Sequence, residues 1–340
     1  HLMQKAISVL TMKGVKISKD EETALCIAIL LHDIGHGAFS HALEHSIVTG
    51  ITHEEISLKY MQQLNKEFNG KLDLAIEIFT GKYHRLFLQQ LISSQLDIDR
   101  LDYLKRDSFY TGVAEGNISS DRLIAMMNVV IEKKGIYSVE KFLIARRLMY
   151  WQVYLHKTSI VAEHMLVKVL KRAKELAEKK IDLFCSSSLR YFLYNKTNKD
   201  NFDAKVLALF SELDDYDLLS AIKEWTNHSD KIISNLSSMI VNRNLLKIEI
   251  FDALVSEIDF LTFTNKLMIS SGLTEKEASY FVFNGDISNQ AYNKNQPIKI
   301  LNKNGDIEDI VLASDQLNLQ ALSKPVKKFF ICYPKKMELA

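Results

Sequence analysis

At 340 residues the chain has room for two modest domains or for one large helical domain with an appendage, and the second arrangement is expected. Lys plus Arg numbers 43 against 42 for Asp plus Glu, so global charge gives no reason to bind nucleic acid or an anionic membrane surface. The longest wholly apolar run, Ala24 to Leu31, is far shorter than a bilayer span and follows no signal pattern; Cys26, Cys185 and Cys332 are scattered and unpaired in spacing, which suits a reducing, cytoplasmic setting.

All three prolines (Pro297, Pro325, Pro334) lie near the carboxyl end, so the preceding stretch is expected to be mostly helical. Ser18 and Glu21 have capping-box spacing, which starts a helix running through Ala24 to Leu31 until Gly35; its near-uniform apolarity implies burial. Thr52 with Glu55 repeats the signal and starts a helix with Ile56, Tyr60, Leu64 and Phe68 on one face. A third helix is expected over Leu96 to Tyr110, a short hairpin over Asn128 to Tyr137 around Lys133-Lys134-Gly135, and a fourth helix from about Ser138 through Lys157 and beyond. Near the end, Asn304-Gly305 reads as a hairpin turn between Ile298 to Leu301 and Ile307 to Leu312, and Val326 to Tyr333 as a strand. The fold class is therefore mainly α, with a helical domain over residues 1–180 and a smaller helical and α+β region over 181–340.

Half of the ten histidines fall between His32 and His53. Burying His32 and Asp33 at the end of an apolar helix costs on the order of several kcal/mol unless they find partners. A metal ion is one such partner, and imidazole with carboxylate suits iron, manganese, zinc or magnesium. The glycines at 35 and 37 suggest a tight backbone path that holds side chains around a site. In the second block, Asp99, Tyr103 and Asp107 are four residues apart on one helical stripe, opposite Ile98, Leu101 and Leu104. In the third, Arg146, Tyr150, Tyr154 and Lys157 form a stripe of two cations and two phenols that could receive a polyphosphate. Each block alone has a plainer explanation: a helix cap, a charged face with an Asp102–Arg106 ion pair, a snorkelling basic face.

Together, in this order and spacing, His32-Asp33-Ile34-Gly35-His36-Gly37 with Phe39-Ser40-His41, Ile98-Asp99-Arg100-Leu101-Asp102-Tyr103 with Arg106-Asp107, and the Arg146 to Lys157 block resemble the HD phosphohydrolase superfamily. The resemblance spans roughly residues 1–170 and is to the branch of dNTP and dGTP triphosphohydrolases. It implies an HD-domain helical bundle and a divalent metal held by His32, Asp33, Asp99 and an upstream histidine. That histidine normally sits in an Arg-Phe-x-His-Ser sequence, which this chain lacks; since the chain opens on His1, a missing amino-terminal segment is expected.

The resemblance further implies that His36 acts near the scissile phosphate with Glu44 and His53 in support, that Tyr103 and Asp107 face a deoxyribose, and that Arg146, Tyr154, His156 and Lys157 bind phosphates. Glu44 stands where relatives often carry Asp, and Tyr150 departs from a histidine. The activity implied is hydrolysis of a deoxynucleoside triphosphate to deoxynucleoside and triphosphate by a homo-oligomer. Two alternatives stay open: an HD nucleotidase or phosphodiesterase, and a vestigial nucleotide-responsive scaffold.

Overall fold

The structure is a computed structural model that describes residues 1–44, 46–316 and 318–336; the side chains of His41, Glu44 and Asn318 lie outside that description. It is mainly α, with a few small sheets among the described residues. Contacts divide the chain into two compact units, one from His1–Asp33, Met61–Leu155 and Ser288–Val326, the other from Ile34–Tyr60, His156–Ile287 and Lys327–Ala340. Within the first unit, Lys299–Leu301 pairs in parallel with Ile131–Glu132. No helix among the described residues is long and apolar enough to cross a membrane.

The core of the first unit forms where Leu10, Leu25, Ala28, Leu101, Leu104, Phe142 and Leu143 meet, all buried. The Ser18–Glu21 capping box starts the Lys19–Leu31 helix as expected. Glu21 does more than cap. Buried among apolar residues, it accepts hydrogen bonds from Arg85 Nη1 at 2.7 Å and from the Tyr83 hydroxyl at 3.0 Å. Burial pushes its pKa up, but the Ser18 backbone, Arg85 and Tyr83 outweigh that and hold the carboxyl below its ordinary range. Burial of this helix is one-sided rather than complete, since Leu30 is 78% exposed. A 3.6-residue period leaves one face outward even when every residue is apolar.

The Ile98–Thr111 helix begins at Asp97, whose side chain accepts from the Arg100 backbone N–H, and ends at Gly112 in the left-handed conformation, φ +72°. The hairpin expected over Asn128 to Tyr137 does not form. Ile131–Glu132 pairs with Lys299–Leu301, and Lys133–Gly135 winds into a 3₁₀ turn that leads directly into the Ile136–Met149 helix. Local sequence named a turn correctly but could not name its long-range partner. The Asn304-Gly305 turn does join antiparallel strands, Lys299–Leu301 and Ile307–Asp309, but Ile310–Ala313 is a helical turn capped by Asp309.

The fourth helix is not continuous. Ile136–Met149 gives way to a π-helical stretch at Tyr150–Tyr154, the Leu155 N–H bonds back to the Tyr150 carbonyl at 2.6 Å, and His156 is extended (φ −65°, ψ 135°) before Lys157–Glu178 begins. The inserted residue of a π turn breaks the regular stripe expected from Arg146 to Lys157.

In the second unit, Lys157–Glu178 packs against Lys231–Val241, and Lys247–Phe251 pairs antiparallel with Val326–Tyr333, a strand where one was expected. Arg172 on the long helix is buried and forms an ion pair with Asp230, Nη2 to Oδ2 2.5 Å.

Candidate active site

His32 follows the last turn of the Lys19–Leu31 helix. Its Nδ1 lies 2.8 Å from the Ile29 carbonyl oxygen, which places the ring proton on Nδ1 and leaves the Nε2 lone pair free to act. That Nε2 is buried, with Asp33 Oδ2 at 3.3 Å and Asp99 Oδ1 at 3.5 Å and no well-formed hydrogen bond. One ligand atom from each of His32, Asp33 and Asp99 falls within 4.8 Å of the others. Burial pushes the His32 pKa down, but Asp99 and Asp33 outweigh it and hold the imidazole above its ordinary value. A buried nitrogen aimed at two carboxylates is an arrangement that a divalent cation satisfies.

Asp99 is held by the start of its helix. Burial pushes the Asp97 carboxyl up to about 6, against the pull of Arg100 and the backbone N–H groups of Ser94 and Arg100 that it accepts. A cavity of about 710 Å³ opens beside His32 and Asp99, lined also by His1, Ile29, Lys105 and Phe109. On the exposed side of the helix, Asp102 and Arg106 form the expected local ion pair, Oδ2 to Nε 2.9 Å.

Further along the same helix the structure brings the second and third blocks together. The Tyr154 hydroxyl donates to Asp107 Oδ2 at 2.5 Å. The Tyr103 and Tyr154 rings meet edge-on at 6.0 Å, and Tyr150 and Tyr154 at 5.2 Å. The Arg146 guanidinium lies 5.7 Å from the Tyr150 ring centroid, and its Nε is buried without a hydrogen-bond partner. Burial, reinforced by Asp107, drives the Tyr154 phenol strongly upward, so it is a hydrogen-bond donor at any physiological pH.

The remaining expected residues belong to the second unit. His36 and His53 stack, ring centroids 4.0 Å apart and 13° from parallel. Gly35 makes this possible: a Cβ there would sit 2.1 Å from the His53 carbonyl oxygen, and its N–H donates to Ser57 Oγ at 2.9 Å. Phe39 and Ser40 follow with positive φ, 51° and 50°, and the Phe39 N–H is held by Asp215 Oδ1 at 2.8 Å. His156 caps the Lys157–Glu178 helix, its Nδ1 accepting from the Thr158 N–H, with Lys157 the first helical residue. The Glu44 side chain lies outside the described residues.

The chain matches the HD domain over residues 6–107 and the HD associated region over residues 118–264. Protein YwfO of Bacillus subtilis is 31% identical over 88% of this chain and 71% of its own. The crystal structure of a phosphohydrolase from Bacteroides thetaiotaomicron is 51% identical, covers 98% of this chain and 85% of that one, and superposes with a TM-score of 0.94. The chain is an HD-superfamily phosphohydrolase. HD domains are metal-dependent, and in this HD phosphohydrolase His32, Asp33 and Asp99 form a candidate ligand group. A deoxynucleoside triphosphate triphosphohydrolase homologue of Dictyostelium discoideum is 27% identical to it over 52% of this chain and 38% of its own.

Two residues of this HD phosphohydrolase carry structural tasks that the sequence did not announce. Arg100, inside the second block, donates from Nε to the Ser94 carbonyl at 2.7 Å and from Nη1 to the Tyr103 hydroxyl at 3.3 Å, bracing that phenol. Asp215 anchors the strained Phe39 backbone from 176 residues away, and no local signal marks it.

Proposed function

We propose that this HD phosphohydrolase cleaves deoxynucleoside triphosphates into deoxynucleoside and intact triphosphate, with a divalent metal at His32, Asp33 and Asp99. The observation that carries the reading is the buried His32 Nε2 facing two carboxylates, one turn of helix from Tyr103 on the Asp99 stripe. A bound divalent ion supplies polarisation of a phosphoryl oxygen and a lowered pKa for a water molecule. Arg146, with a buried unsatisfied Nε beside the phenols, offers charge and a planar donor set to phosphate oxygens. Asp107, its Oδ2 held by the Tyr154 hydroxyl, offers a carboxylate to a sugar hydroxyl, and Tyr154 by resemblance stands with the phosphate-binding residues. The braced Tyr103 ring crowds the place of a ribose 2′-hydroxyl, which would lose water and clash, a penalty on the order of a few kcal/mol. By resemblance, His36 with Glu44 and His53 moves the proton, and His156 and Lys157 bind phosphate. The similarity to a Dictyostelium protein bearing the dNTP triphosphohydrolase name supports the substrate class.

The test incubates the full-length protein with dNTPs and NTPs, manganese or magnesium, and a mixture of nucleotides as potential activators, and resolves products by chromatography. Deoxynucleoside and triphosphate are expected. Orthophosphate or pyrophosphate as the primary product would overturn attack at the α-phosphorus, and turnover confined to monophosphates or cyclic nucleotides would favour a nucleotidase or phosphodiesterase. If Tyr103→Ala leaves an observed deoxyribose preference unchanged, the sugar assignment fails while the reaction stands.

A further inference from the structure

Residues 291–298 come from the carboxyl-terminal region, where the sequence carries no readable motif, yet in the first unit they touch both Arg146 and the turn before the Asp99 helix. Arg146 Nη1 donates to the Ala291 carbonyl at 3.4 Å, across 145 residues of chain. The guanidinium pairs with no carboxylate among the described residues, and its Nε is buried without a hydrogen-bond partner. A cation so placed calls for an anion. The Ala291 carbonyl, with the Tyr150 ring on another side at 5.7 Å, decides which way the planar fork points and which of its N–H groups stay free for a phosphate.

Gln95 holds the backbone next to that carbonyl. Buried at 6% exposure, it donates from Nε2 to the Asn293 carbonyl at 2.7 Å and to the Gln296 carbonyl, and its Oε1 accepts the Asn293 N–H at 2.5 Å. Both N–H bonds of the amide and its oxygen are therefore used. Tyr292, between Ala291 and Asn293, is fully buried, with its N–H on the Leu322 carbonyl at 3.1 Å and its hydroxyl on Asp309 at 2.8 Å. With Tyr292 anchored and Asn293 gripped at both backbone groups, the Ala291 carbonyl has little freedom to turn. Gln95 also stands two residues before Asp97, whose side chain caps the helix carrying Asp99, Tyr103 and Asp107. One side chain thus ties the loop behind Arg146 to the start of the helix that bears a candidate metal ligand.

We propose that Gln95 is a positioning residue: through residues 291–293 it sets the orientation of Arg146 relative to Asp99, and with it the fit of a polyphosphate between the guanidinium and the metal group. This rests on the reading of Arg146 as a phosphate ligand, and not on which nucleotide is cleaved or at which bond.

The test uses the full-length protein, inorganic tripolyphosphate as the probe in isothermal titration calorimetry, and NMR of the Arg146 Nε–H, assigned by its loss in Arg146→Lys. Gln95→Met keeps the side-chain volume and removes all three hydrogen bonds. Gln95→Asn keeps the same groups one methylene short, and carries the test if the first variant does not fold. Either is expected to weaken tripolyphosphate binding about tenfold, because a fork that must be ordered on binding loses affinity, with bound metal unchanged. Exchange of the Arg146 Nε–H with water should speed up about tenfold as well. In Arg146→Lys, which keeps the charge without the planar fork, the same Gln95 change should alter affinity by about twofold or less, since the two residues act as one unit. A full loss in that background too would make Gln95 a general prop of the fold and overturn the proposal. So would unchanged affinity, unchanged Nε–H exchange, or a wild type that does not bind tripolyphosphate. If binding behaves as expected while no dNTP is hydrolysed, the proposed reaction fails and the role of Gln95 stands.

Discussion

Tyr154 donates its hydroxyl proton to Asp107 Oδ2 across 2.5 Å, joining the π-helical turn at Tyr150–Tyr154 to the helix that begins beside Asp99. The bond links a carboxylate to a phenol whose pKa burial and that carboxylate drive strongly upward. Tyr154→Phe removes the donor and keeps the ring. A hydrogen bond to a charged group contributes about 1.5–3 kcal/mol to stability, so Tyr154→Phe should lower the unfolding free energy by about that much and, by releasing Asp107, lower kcat/KM on a dNTP roughly 10-fold. Denaturant unfolding and steady-state kinetics check this; an unchanged kcat/KM would remove the Tyr154 hydroxyl from the reaction.

Metal content provides a separate test. Elemental analysis of the full-length protein should show about one equivalent of a divalent metal on single-site logic. Asp33→Ala or Asp99→Ala should abolish it and lower the melting temperature in metal-containing buffer, because a ligand that binds only the native state stabilises it. Full occupancy in both variants would refute the ligand group.

Gly35 predicts a stability effect of backbone origin. A methyl group there would lie 2.1 Å from the His53 carbonyl oxygen and 2.3 Å from the Ser57 amide nitrogen, neither of which is a flexible side-chain end. Gly35→Ala should therefore cost at least about 1–3 kcal/mol, as overpacking does, and should disturb the His36–His53 stack. Denaturant unfolding measures the first effect, and histidine NMR shifts the second.

Acid should release the Arg172–Asp230 pair. Burial pushes the Asp230 carboxyl up, but hydrogen bonds from Arg172 and the Ile233 N–H outweigh that and leave its folded pKa below the ordinary value. A carboxylate lowered on folding contributes stability above its unfolded pKa, about 3.9, and loses it as pH falls through the folded value. Asp230→Asn should destabilise by about 2 kcal/mol near neutral pH, since the buried Arg172 loses one of its two carboxylate partners and keeps only Glu175, 3.0 Å from its Nη1. The difference from wild type should shrink below about pH 4. Parallel urea titrations at both pH values check the sign, and a pH-independent gap would contradict it.

The sequence by itself determined what depends on neighbours along the chain. The Ser18–Glu21 and Thr52–Glu55 caps, the Asp97-to-Gly112 helix region with Asp99, Tyr103 and Asp107 on one stripe, and the Asn304-Gly305 turn all rest on contacts a few residues apart. The HD motifs were legible for the same reason, since His32, Asp33 and Asp99 lie in short blocks of recognisable spacing. Only the tertiary structure decided the rest. Ile131 could not announce Ile300 as its partner, nor could Phe39 announce Asp215, because pairing over such separations depends on which surfaces the folded chain brings together. The π turn at Tyr150–Tyr154 likewise replaced a helix that periodicity favoured, and it is this turn that carries Tyr154 to Asp107. Local rules set the elements and the chemistry they carry; packing set which of those groups meet.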